Sequence, residues 1–138
     1  MTKEELVLAV KSAVSLAKET KVEEMYAVYG KLFATPGFSK NRPEDQRQAL
    51  KLMVHFKGAP KKPTPAMVDA HRAALEPLTE LVSVHSEPAD FEMLGMCHLL
   101  LEHPDAASNM FRQGLTIERS RNPSSDLCGA LMRRVSEI

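Results

Sequence analysis

Apolar residues fall three and four apart along almost the whole chain, the spacing of one face of an α-helix. Leu6, Val10, Ala13, Val14 and Ala17 mark a first helix. Thr2 stands where an N-cap belongs, and Glu5 three residues on completes a capping-box pattern. This helix should end near Glu19 and Thr20. A second, from about Val22, carries Met25, Tyr26, Tyr29, Leu32 and Phe33 until Thr35-Pro36-Gly37 breaks it. Residues 38–43 read as a loop. Pro43-Glu44-Asp45 then opens a third helix, since proline fits a first helical turn and acids suit its positive end. Ala49, Leu50, Met53, Val54 and Phe56 form its stripe. Pro60, Pro63 and Pro65 make residues 57–65 extended. A fourth stripe runs through Val68, Ala70, Ala74, Leu78, Leu81 and Val82, with Pro77 inside it. An interior proline removes a backbone hydrogen bond and costs roughly 3 kcal/mol, so a kink is expected there.

The stretch 91–123 has the most regular pattern. Phe91, Leu94, Met96, Cys97, Leu100 and Leu101 repeat at helical spacing until Glu102-His103-Pro104-Asp105 stops the run and starts another. A second stripe follows at Ala107, Met110, Phe111, Gly114 and Leu115, and Pro123 closes it. Leu94-Gly95 followed by Ala107 and Phe111, 13 and 17 residues after Leu94, resembles the tetratricopeptide repeat, a helix–turn–helix unit of about 34 residues. Gly114-Leu115 fill the small-then-large positions after it. No Trp opens the first helix, His98 stands where an aromatic is usual, and Pro123 comes about one turn late. Ala74, Leu78 and Leu81 can be laid on Ala107, Phe111 and Gly114 as a fainter second copy. Pro123-Ser124-Ser125-Asp126 opens a last helix with Leu127, Cys128, Leu131, Met132 and Val135. Arg133, Arg134 and Glu137 would give it the polar face of a solenoid cap.

The resemblance implies an all-α, tetratricopeptide-like right-handed superhelix of about seven antiparallel helices with a C-terminal capping helix. Residues 1–138 would form one domain: a first hairpin at 1–37, an interrupted repeat at 43–86, the best repeat at 88–122 and the cap at 124–138. In such arrays the first helix of each pair lines a concave face that holds an extended peptide or a partner helix. On the matched repeat this points to Glu92, Met96, Leu99 and Leu100 as partner-binding residues. Leu99 is the most telling, because the core stripe through Leu94, Cys97 and Leu101 does not need it. The alternative is that the first hairpin or the cap covers this face.

Composition narrows the function classes. The chain of 138 residues is long enough for a real core. Its formal net charge of +0 argues against general nucleic-acid binding. Charge is nonetheless uneven: residues 40–62 carry 7 Lys/Arg against 2 Asp/Glu, whereas residues 63–105 carry 1 against 8. The basic segment suits an acidic partner and the acidic one a basic partner. The charged, amphipathic N-terminus is unlike a signal peptide, and no apolar run reaches membrane-spanning length, so a cytoplasmic protein is expected.

Candidate chemistry is sparse. Cys97 and Cys128 lie on apolar helix faces and read as reduced core thiols. His98 and His103, five residues apart, fall on different helical faces, and none of the five histidines completes a metal-ligand pattern. There is no glycine-rich phosphate loop and no GxSxG. The expectation is a protein with no cofactor and no catalytic activity that binds a protein or peptide partner in a Met/Leu-lined groove. The alternative is a homodimer or larger homo-oligomer built on the same apolar face.

Overall fold

A computed structural model describes all residues, 1–138. It contains seven α-helices and no strand: α1 (Lys3–Lys18), α2 (Val22–Ala34), α3 (Pro43–Val54), α4 (Pro65–His85), α5 (Pro88–Leu100), α6 (Pro104–Arg121) and α7 (Asp126–Ser136). Local chemistry explains where they begin. Pro43, Pro65, Pro88 and Pro104 each occupy the first residue of a helix, where a missing N–H costs no hydrogen bond. The Thr2 hydroxyl accepts from the Glu5 N–H at 3.2 Å, and the Ser125 hydroxyl accepts from the Cys128 N–H at 2.9 Å.

The ends are less conventional. Thr20, Ser86 and Glu102 hold left-handed backbone conformations with φ of 61°, 52° and 64°, where glycine is the usual residue. After α5, the Glu102 N–H bonds the Leu99 carbonyl at 3.1 Å and the His103 N–H bonds the His98 carbonyl at 2.8 Å. This crossed pair is a Schellman motif, and it turns the chain straight into α6.

The chain divides into two compact units, residues 1–77 and 78–138, so the stretch 43–86 expected to form one repeat straddles the division. The division falls at Pro77, within α4, which continues through that proline as one helix.

In the first unit, α1 packs on α2, and Gly30 of α2 lies against the backbone of Ala70 in α4. Tyr26, Tyr29, Phe33 and Phe38 are almost fully buried. The expected loop at 38–43 is instead preceded and overlapped by a 3₁₀ helix, Pro36–Lys40, which aims Phe38 edge-on at Phe33 with ring centroids 5.2 Å apart. The reason lies in the next helix. The Gln46 amide, itself buried, donates to the carbonyls of Ser39 at 3.2 Å and Asn41 at 2.7 Å.

In the second unit, Gly95 meets Phe111 while Gly114 meets Phe91 and the Pro88 carbonyl, so α5 and α6 run antiparallel. A methyl at Gly95 would sit 2.6 Å from Cδ1 of Phe111. The same reversal repeats between α6 and α7, where Ser125 donates to Glu118 at 2.7 Å and Leu131 reaches Gly114. Ala107, Phe111, Leu115, Cys128 and Leu131 form the core of this layer.

Candidate functional site

The four residues assigned to a partner on α5 have different fates. Glu92 is 7 % exposed, and its carboxylate accepts from Nε of Arg134 in α7 at 2.9 Å. Met96 packs on the Phe111–Leu131 core. Both therefore serve the packing of α7 against α5. Leu99 is 44 % exposed and Leu100 is partly exposed, so these two hold the accessible part of the assigned face. The first half of α5 is buried on nearly every side, a consequence of lying under both α6 and α7.

A second face, absent from the sequence reading, lies in the first unit. Leu6 of α1 and Ala49 of α3 form the floor of a hollow of about 230 Å³. Val7, Val10 and Leu52 line its sides, and Lys3, Lys11, Asp45 and Gln48 stand at the rim. Val7 and Leu52 are each 39 % exposed. It shares Gln48 and Leu52 with a larger neighbouring hollow of about 680 Å³, lined also by Glu44, Arg47, Lys51, His55, Phe56 and Lys57. Together they form an apolar groove along α3 with a basic rim.

The α3 stripe explains the groove. Residues 45, 48, 52 and 55 recur at three- and four-residue spacing, one turn apart on one side of a helix. The opposite stripe, Gln46, Leu50, Met53 and Val54, is spent on the core. Electrostatics sharpen the picture. Both acids of the groove already have cations: Asp45 lies 4.0 Å from Lys3, and Glu44 lies 2.7 Å from Arg42. Backbone hydrogen bonding, helped by the Arg42 and Arg47 charges and opposed by partial desolvation, holds Glu44 below its usual range. Lys11, Lys51 and Lys57 make no ion pair. The sequence signal for this face was the basic excess over residues 40–62.

The titratable groups elsewhere belong to the fold. Cys97 and Cys128 are buried free thiols, and burial pushes Cys97 up to about 12. His71 is buried in α4 and donates from Nδ1 to the Met67 carbonyl at 2.7 Å; burial lowers its pKa. His98 and His103, expected on different faces, are brought together by the Schellman turn with their Nδ1 atoms 3.4 Å apart. That motif commonly places an apolar contact at these two positions, and here two imidazoles share it. No group of three His, Cys, Asp or Glu side chains converges as a metal site, and no helix is long and apolar enough to cross a membrane.

Fold and site together define an all-α protein of hairpin-paired helices with an open, basic-rimmed apolar groove. No family model, curated protein or solved structure matches the chain.

Proposed function

We propose that this chain is a non-catalytic, tetratricopeptide-like interaction module that works in the cytoplasm and holds a segment of a partner protein. Support for the repeat reading comes from the second unit. Gly95 and Gly114 let α5 and α6 approach, Phe111 fills the space between them, and α7 packs on both as the next helix of an array would. A right-handed superhelix is the arrangement such repeats favour. Two unpaired cysteines accord with a reducing compartment.

The observation that carries the binding reading is the groove along α3. Leu52 and Val7 are large apolar side chains left in water beside a concave floor, and the core does not use their exposed surface. We place binding here rather than on α5, because two of the four residues assigned there contact α7 or the core it shares with α6. The test is affinity capture from native cell extract with three baits: wild type, Val7→Glu/Leu52→Glu and Leu99→Arg/Leu100→Arg, each checked for folding by circular dichroism. A partner kept by the wild type and the α5 variant but lost by the α3 variant supports the groove. Loss only with the Leu99/Leu100 variant returns the site to α5, and identical recovery by all three overturns both.

Self-association is the second reading. It is favoured by Leu8 and Val84, which are 67 % and 68 % exposed, and by Met132 at 49 %. A mass by sedimentation equilibrium that stays monomeric up to high concentration removes it.

A further inference from the structure

The groove's chemistry also specifies its occupant, given the reading above that the groove along α3 is the docking site. We propose that it receives an acidic amphipathic helix of a partner protein, about three turns long, with apolar side chains in the α1/α3 hollow and carboxylates over Lys11, Lys51 and Lys57.

Three features lead to this occupant. The first is length. The lining stripe of α3 runs from Asp45 to His55, and ten residues at 1.5 Å rise give roughly 15 Å, three turns of a helix laid alongside. The second is the backbone. The walls of the α1/α3 hollow are helices whose N–H and C=O groups are spent on their own hydrogen bonds, so an extended peptide would find no ladder to join there. Its polar backbone would lie unpaired on Leu6, Val7 and Leu52, whereas a helix satisfies its own backbone and offers only side chains. The third is charge. With Asp45 facing Lys3 and Glu44 facing Arg42, the unpaired charges of the rim are lysines, and a rim of one sign selects the opposite one and speeds its capture.

The same features disfavour other polyanions. A nucleic acid has no use for a Val/Leu floor, and for stacking the groove offers just the Phe56 and His55 rings at one end. An anionic bilayer is broad, whereas Leu6 and Ala49, 3 % and 1 % exposed, are recessed below the rim.

The test is site-specific photocrosslinking in the intact protein within its native cells. A benzoylphenylalanine replaces Leu52 in one version and Val7 in a second, with Met132 as an off-groove control, and the crosslinked peptide is sequenced. The expected product is a helix-forming segment rich in Asp and Glu with an apolar stripe, captured from both groove positions and not from the control. As a synthetic peptide it should bind the wild type and bind Lys11→Ala/Lys51→Ala/Lys57→Ala at least tenfold more weakly, with affinity that falls as salt rises. A neutral or basic segment, or an acidic one that binds the triple variant equally well, overturns the acidic-helix assignment and leaves the groove standing. Crosslinks only to nucleic acid, to lipid or to this chain itself, or none above the control, overturn the occupant and the groove together.

Discussion

A methyl group is the smallest probe of how closely α5 and α6 approach. Alanine is a better helix former than glycine by about 1 kcal/mol, so on an open helix Gly95→Ala would stabilise. Here the new Cβ would lie 2.6 Å from Cδ1 of Phe111, and the ring has nowhere to go: Phe111 is 0 % exposed, and the Arg134 guanidinium lies 5.7 Å from its centroid. Overpacking of this kind costs about 1–3 kcal/mol and outweighs the propensity gain. Gly95→Ala should therefore lower the denaturation midpoint, with a net loss of up to about 2 kcal/mol; an unchanged midpoint would mean that the ring can move aside. His71 makes a second prediction at this scale. Burial holds its folded pKa below the ordinary 6.5, with the Met67 hydrogen bond opposing in part, so the unfolded chain takes up its proton first as pH falls. The associated stability is complete above about pH 6.5 and is lost as pH falls through that value toward the folded one. His98, lowered by burial and by the neighbouring His103, acts in the same direction. Urea midpoints should thus be lower at pH 5.5 than at pH 7.5, and His71→Asn, which keeps a donor for the Met67 carbonyl, should shrink the difference.

At the scale of elements, what could be read from the sequence was what local chemistry decides. Helix starts follow from a proline or a hydroxyl a few atoms away, so Thr2, Pro43, Pro104 and the stretch 123–126 marked them correctly. The 3₁₀ helix Pro36–Lys40 was hidden because part of its support comes from the Gln46 amide on the following helix, beside the Asn41 amide that donates to the Gly37 and Phe38 carbonyls, and Pro36-Gly37 alone read as a break. The site was less legible. Glu92 read as a partner-binding residue, but it is 7 % exposed and bonded to Arg134, 42 residues away in α7, and no periodicity within α5 carries that information. The groove along α3 needs Leu6 and Val7 from α1, so only its basic charge was visible beforehand. The Arg134–Glu92 pair gives an element-scale prediction. Arg134→Ala removes a charged partner from a carboxylate that is 9 % exposed and should destabilise by about 2 kcal/mol, with a double-mutant cycle against Glu92→Gln recovering part of the loss. The Schellman turn gives one of opposite sign. Glu102 is exposed, forms no ion pair and sits at a φ of 64° that disfavours any side chain. Glu102→Gly should raise stability by about 1 kcal/mol, measured as a higher thermal or urea midpoint, whereas the same change at a right-handed helical position would lower it.

On the scale of the whole molecule, residues 1–77 and 78–138 should unfold together. Each unit is shorter than the roughly 80 residues at which a single core becomes comfortably stable alone. Helix α4 supplies both: Met67, Ala70 and Ala74 are buried before Pro77, and Leu78 and Leu81 after it. Losing one half of α4 would expose the stump of a helix whose remainder is short and carries an interior proline, so neither unit should persist once the other melts. The chain carries its own reporters for each. Both tyrosines, Tyr26 and Tyr29, belong to the first unit, with no Trp to mask their fluorescence, while both thiols, Cys97 and Cys128, belong to the second. In the folded protein the thiols should resist a disulfide reagent, since they are buried and Cys97 is pushed up to about 12. Tyrosine emission and thiol labelling followed through the same urea titration should give one coincident midpoint. If tyrosine emission changes while the thiols stay protected, or the reverse, the two units fold independently and α4 breaks at Pro77. The first unit, groove included, would then be a separable domain.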